Sequence, residues 1–253
     1  MAKTIKIEFV SVIKGIGDIF PVIKASQYKR KWVDAVLKDY KEKKQEMKTE
    51  VHLMRCPGIF SLLNEGYILT TWCDIVITTK KDEEGFAWQL PMNPSSNKEM
   101  FNTPPISAHY EDITKWFPKN EKQTNTIVKI NSPLHVIAPK GIKLLMLPIP
   151  YPDHFDFECV PGILDPSECT ELNAQLKWFK KDGEVLIKAG TPIAHLIPLC
   201  NTKTKIEIVN RDASKKELEF IEVIQNIQAF SFDKSIHKFK KSIKNMYEKY
   251  FTE

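Results

Sequence analysis

His109, Glu111 and His195 are the residue types of a two-histidine, one-carboxylate iron(II) centre. Arg211 is the type that would pair the carboxylate of 2-oxoglutarate beside such a metal. On a jelly-roll scaffold that set would read as an oxygenase. Each member also has a plainer role. His195 stands between Ile193-Ala194 and Leu196-Ile197, where an imidazole on an alternating strand packs in a core or at an interface. Asp165, just before Pro166 in "PGILDP", is placed to cap neighbouring backbone N–H groups in a turn. Asn173 and Gln175 alternate with apolar residues in "ELNAQLKWF", so they read a ligand edge or face water.

Motifs that announce a reaction are absent from the sequence: there is no P-loop, no CxxC pair, no HExxH and no GxSxG. The five cysteines, Cys56, Cys73, Cys159, Cys169 and Cys200, lack metal-ligand spacing and are expected as reduced thiols filling apolar space. With 42% hydrophobic and 27% charged residues the chain has the composition of a globular protein. Its longest apolar runs are too short and too broken by Pro for a membrane span. "MAKTIKIEFV" does not resemble a secretory signal, so synthesis and residence inside a cell are expected. The net charge of +5 is concentrated in two stretches. Residues 28–50 hold eight Lys/Arg against five acids, and 233–253 hold six against three. Two solvated helix faces account for them, and a nucleic-acid surface is not expected.

The elements follow from periodicity. "KTIKIEFV" alternates Ile5, Ile7 and Phe9 with Lys6 and Glu8, the pattern of a half-buried strand. "ASQYKRKWVDAVLKDYKEKKQE" places Trp32, Val36, Leu37 and Tyr40 on one helical face, predicting a helix docked by that face. From Val51 to about Leu199 short β-branched runs alternate with Gly, Pro and Asn, and "KIEIVNRD" adds one more strand. The polar, Pro-rich stretch 90–125 interrupts them as a long loop. In "KAGTPIAHLIPL" Gly190 supplies a turn position open to positive φ, and Pro192 begins a strand where a ladder N–H is spared. Trp72, Trp88, Trp116 and Trp178 are expected as core residues. "IHKFKKSIKNMYEKYF" aligns Ile236, Phe239, Ile243, Met246, Tyr247 and Tyr250 as the apolar stripe of a helix docked on the β-domain.

Two resemblances arise from these residues. "PVIKASQYKRKWV", "RCPGIFSLLNEGYILTTWCDIVI", "PKGIKLLMLPIP", "VPGILD" and "IKAGTPIAHLIPL" occur in an order that resembles a group of uncharacterised proteins of tailed bacteriophages. That resemblance implies a phage origin and a β-rich fold. "VPGILD" and "GTPIAHL" also look like the two motifs by which the β-clip enzymes, dUTPases and dCTP deaminases, build a nucleotide site. The resemblance places Asp165, with Asn173, Gln175 and His195, around a base and sugar. "LPIPYP" stands where those enzymes carry a phosphate-binding segment, so it implies binding more than hydrolysis.

The expected fold is therefore mainly β (α+β), a sandwich, jelly-roll or β-clip-like core with peripheral N- and C-terminal helices. Residues 1–50 form an N-terminal strand and helix packed on the core, 51–209 the all-β core, and 210–253 a C-terminal helical segment. The expected function is that of a phage-encoded, non-enzymatic structural or interaction protein of the host cytoplasm and the virion. Its partners are proteins or further copies of itself in the phage particle. No cofactor, membrane or nucleic acid is expected. Nucleotide binding and iron(II)/2-oxoglutarate oxygenation are the alternatives.

Overall fold

The computed structural model of the protein describes residues 4–46, 52–81, 85–91, 104–109, 115–118, 121–200, 205–230 and 236–251. These residues form four β-sheets and five α-helices, and the pairing is antiparallel except at one place. The exception joins the two ends of the chain. Strand β1 (Thr4–Ser11) runs parallel to β15 (Lys205–Asp212) in an unbroken eight-residue register from Thr4 opposite Lys205 to Ser11 opposite Asp212. On its other side β1 pairs antiparallel with β8 (Leu134–Ile137). The alternation foreseen for β1 is present, with Ile7 and Phe9 wholly buried.

A five-stranded sheet has the order β11 (Gly162–Leu164), β9 (Lys143–Leu147), β14 (Pro192–Leu199), β3 (Tyr67–Thr70), β2 (Ile23–Lys24). A four-stranded sheet has the order β10 (Phe157–Cys159), β12 (Ala174–Trp178), β7 (Ile127–Ile130), β6 (Ile106–Ala108). A three-stranded sheet completes the set, β13 (Gly183–Ile187), β4 (Ile75–Thr79), β5 (Ala87–Gln89). One apolar core draws on all four: Phe9 from β1, Leu176 and Trp178 from β12, Leu196 from β14, and Ile75 and Ile77 from β4. Trp178 stacks on Phe157 with ring planes 5° apart, and the Trp72 indole N–H is satisfied by the Asn131 carbonyl at 2.9 Å. Trp72 thus contributes both area and a fixed polar tip, whereas the Trp178 Nε1 is buried without a hydrogen-bond partner.

Several expectations are corrected. Trp116 is 80% exposed beneath the Lys115 ammonium, and Trp88 is partly exposed on the edge strand β5, so only Trp72 and Trp178 of the four are core residues. The stretch expected to be strand from Val51 onward begins with a helix, α3 (Pro57–Asn64): Pro57 sits in its first turn, and Ile59, Phe60, Leu62 and Leu63 follow without alternation. The Pro-rich stretch is not all loop, since it contributes edge strand β6 with Ile106 buried. Helix α2 (Lys31–Gln45) forms as foreseen, but none of its residues is fully buried; Trp32, Val36 and Tyr40 are half-buried and Leu37 is exposed.

At the C-terminus α4 (Lys215–Phe230) and α5 (Ile236–Phe251) make a second apolar cluster against the β1–β8 region. Phe220, Ile224, Ile243 and Tyr247 meet Val12 and Ile137 there. The Tyr247 hydroxyl accepts from the Ala138 N–H and donates to the Ala138 carbonyl, both at 2.8 Å, which locks α5 in place. α5 is thus docked on the chain's own β-domain. No helix among the described residues is long and apolar enough to cross a membrane.

Candidate binding site

Strand β14 runs through the middle of the five-stranded sheet, and its side chains alternate between two faces. Leu196 lies opposite Tyr67 and Met146 and points with them into the main core. His195 lies opposite Ile68 and Leu147, and Ile68 lies opposite Ile23, so His195 belongs to the outer face. That face is covered by a small separate cluster of Ala25, Ile68 and Ile149, with Ile23 and Tyr28 against it. Gly190, at φ 82°, turns the chain into β14, and Pro192 begins the strand, as the sequence implies.

His195 is wholly buried. Its Nε2 lies 2.6 Å from the Glu65 carbonyl. A carbonyl only accepts, so Nε2 carries the proton and Nδ1 presents a bare lone pair, buried and without a partner. Burial lowers the ring's pKa, and the Glu65 carbonyl opposes that while the nearby Arg30 charge reinforces it. Gly66 makes the close approach possible: at φ 75° a Cβ there would fall on the Leu196 carbonyl oxygen.

Above this face the chain passes through a single turn at Ala25–Gln27, tied down by the Ala25 N–H to the Gly66 carbonyl at 2.9 Å. It continues through Tyr28 to Arg30, immediately before α2. Arg30 is only 5% exposed. Its guanidinium lies 4.7 Å over the Tyr28 ring, and Nη1 makes a long 3.4 Å contact with the Tyr28 carbonyl. Nε and Nη2 are buried with no hydrogen-bond partner. Burial lowers the pKa of Arg30, with Tyr28 and Asp153 acting against it.

The neighbouring wall is the segment from Pro148 to Asp156. Tyr151 has φ 53°, the left-handed region that a residue with a side chain occupies only under strain, and is 51% exposed. Its carbonyl accepts the Trp32 indole N–H at 3.1 Å, and the two rings meet edge-on at 5.7 Å. Phe155 is 81% exposed. His154 packs on Phe157 with ring centroids 4.1 Å apart. Burial lowers its pKa, and neither ring nitrogen has a formed hydrogen bond, the Pro192 carbonyl and the Asp156 and Asp153 charges acting from outside bonding geometry. Pro148, Ile149, Pro152, His154, Phe155 and Ile193 line an open apolar cleft of about 240 Å³.

The residues singled out in the sequence are distributed differently. Asp165 follows β11, and its Oδ1 accepts from the Ser167 N–H at 3.0 Å and the Ser167 hydroxyl at 2.6 Å, the local turn role. Burial works to raise its pKa, but the Ser167 bonds and the Lys143 ammonium at 3.3 Å hold it below the ordinary value. Asn173 accepts the Ser132 N–H at 3.1 Å and donates to Glu171 at 2.6 Å. Gln175 lies half-buried on β12 opposite Lys129. None of the hydrogen bonds or ion pairs that these residues make among the described residues joins one of them to another or to His195. His109 follows β6 beside the four-stranded sheet, whereas His195 lies in the five-stranded one, and Glu111 lies outside the described residues. Among the described residues no three His, Cys, Asp or Glu side chains are gathered to hold a metal ion. Arg211 has its own carboxylates: Nε binds Glu8 at 2.6 Å, and Nη1 and Nη2 bind Glu217 at 2.8 and 2.6 Å.

The sequence marks Trp32 only as part of the apolar face of α2, and gives Tyr28, Arg30, Tyr151, His154 and Phe155 no role. The available signal is the density of Pro and aromatic residues in "PIPYPDHFDF". Arg30, between Lys29 and Lys31, gives none. No protein-family model matches the chain, and no curated protein matches it either.

Proposed function

We propose that this is a non-enzymatic interaction protein of a tailed bacteriophage, carried in the particle, which docks a protein partner through the loop from Pro148 to Phe157. The observation that carries the reading is the presentation of this loop. Tyr151 is held at a strained φ of 53° by the Trp32 indole, and Phe155 stands 81% exposed at the rim of an apolar cleft. Tyr, Phe and Trp are enriched in the cores of protein interfaces, and a loop ordered beforehand lowers the entropic cost of association. The phage origin is supported by the ordered resemblance described above, in which "PKGIKLLMLPIP" leads directly into this loop.

The test is a photo-crosslinking amino acid at position 155 during infection, with mass spectrometry of purified particles. The expected result is a chain peptide in the particles and an adduct between position 155 and one particle protein. A probe at Leu186, exposed on β13, should not give that adduct. Absence of the chain from particles, or adducts identical from both positions, would overturn the reading.

A further inference from the structure

We infer that the covered face of the five-stranded sheet is a binding site for an oxyanion, a carboxylate or phosphate group of a ligand, taken side-on by Arg30. Two donors of Arg30 lack partners, Nε and Nη2. A guanidinium has two forks, and the side-on fork consists of Nε–H and the Nη2–H that points the same way; together they match the two oxygens of a carboxylate or phosphate. Those are the two nitrogens left bare, while Nη1 leans on the Tyr28 carbonyl. A buried arginine with an open fork is costly to the fold, because its charge has lost water and gained no counter-charge. The same surroundings supply the features of a recognition site. The Tyr28 ring backs the guanidinium plane, and the buried Nδ1 lone pair of His195 waits for a donor within the influence of the Arg30 charge. A hydroxyl or a protonated oxygen on the bound group would supply that donor.

The segment that carries Asp153 lies beside this arginine. The Asp153 charge acts on Arg30 and on Tyr28, and Ile149 packs with Tyr28, yet Asp153 makes no ion pair with Arg30. The segment is anchored by buried Ile149, by the Trp32 indole hydrogen bond and by His154 on Phe157, and it carries the strained Tyr151. Lifting it releases the strain at Tyr151 and opens the fork to a ligand. Asp153 then stands as a nearby competing carboxylate. This inference concerns ligand chemistry and does not depend on the partner proposed for Phe155.

The experiment is thermal unfolding of the full chain in inorganic phosphate and, separately, in acetate, each against chloride at matched ionic strength. Arg30→Met, Arg30→Lys and Asp153→Asn are compared with the wild type. A saturating anion should raise the wild-type Tm by about 3 °C or more. The rise should vanish in Arg30→Met, shrink in Arg30→Lys and grow in Asp153→Asn. A response to phosphate alone assigns a phosphate-bearing ligand, and a response to acetate alone or to both assigns a carboxylate-accepting fork. Far-UV circular dichroism checks that each variant is folded; Arg30→Lys keeps the charge should Arg30→Met fail to fold. No rise above chloride with either anion, or an equal rise in Arg30→Met, overturns the inference. So does a loss of Tm in Asp153→Asn matching that in Arg30→Met and absent from its combination with Arg30→Met, because Asp153 would then be the arginine's own partner.

Discussion

Arg211 lies on the seam between β15 and β1 with its guanidinium filled by Glu8 and Glu217, whereas Arg30 lies over the five-stranded sheet with its side-on fork empty. The first region joins strands about two hundred residues apart, and there each of the three guanidinium nitrogens of Arg211 meets a carboxylate. Glu217 also accepts the Ser214 N–H at 2.6 Å while the Ser214 hydroxyl faces the Glu217 N–H, so the same carboxylate starts α4 and clamps it to the sheet. In the second region Arg30, His154 and His195 all keep buried polar atoms without partners. Hydrogen bonding is complete at Arg211 and incomplete at Arg30 and His195. Unsatisfied buried groups and a strained residue placed together mark a region shaped for something other than stability.

The largest expected effect comes from the backbone approach beneath Arg30. Gly66→Ala forces a Cβ onto the Leu196 carbonyl at a φ suited to glycine, and should cost more than about 3 kcal/mol in chemical denaturation. If the loss is below about 1 kcal/mol, the β3–β14 contact is looser than described.

Acid next separates buried rings from paired carboxylates; His135 lies on β8 opposite Val10 of the seam's own sheet, whereas His154 and His195 lie in the second region. His135 is buried against the Thr170 hydroxyl at 2.9 Å, and burial pushes its pKa down to about 4; burial also lowers those of His154 and His195. The folded forms are neutral, so the unfolded chain takes up protons first as pH falls below about 6.5. The contribution of His135 is complete above that pH and is lost toward about pH 4, on the order of 2–3 kcal/mol. The carboxylates of the seam behave differently. Burial favours the neutral acids, but Arg211 outweighs it and holds Glu8 and Glu217 below 4.5, so their contribution is lost only below that ordinary value. Tm measured against pH should therefore fall in two windows, and His135→Gln should flatten the upper one. A flat Tm between pH 6.5 and 5 would contradict the burial of these rings.

How far the sequence reaches follows the same division. β1, β14 and α5 were legible because each carries its own period or its own punctuation, as in the alternation of Ile5, Ile7 and Phe9 or the Gly190–Pro192 turn. The parallel pairing of β1 with β15 was not, because nothing local in either strand specifies a partner two hundred residues away. Asp165 could be read as a turn former from its own neighbours. Arg30 could not be distinguished from Lys29 and Lys31, since nothing in its immediate sequence marks it for burial. The apolar face of α2 was visible, but its partners, Tyr151 against Trp32 and His52 against Tyr40, come from other parts of the chain that its own period does not specify. The sandwich or jelly-roll geometry within the β-rich class likewise depends on how the four sheets stack, which periodicity does not encode.

The smaller effects are the two arginine substitutions, and they should differ in sign. Arg211→Met leaves the 6%-exposed Glu217 without its counter-charge and should lose about 2–3 kcal/mol, the Arg211 side chain being partly in solvent. Arg30→Met removes an unpaired buried charge while keeping most of the volume, and should gain about 1–2 kcal/mol.

Denaturant unfolding of wild type, Arg211→Met and Arg30→Met in one chloride buffer tests the contrast most directly. The midpoint should fall for Arg211→Met and rise for Arg30→Met, with m unchanged in both. A midpoint that falls for both would show that Arg30 stabilises the fold as Arg211 does and that its fork is not held open for a ligand.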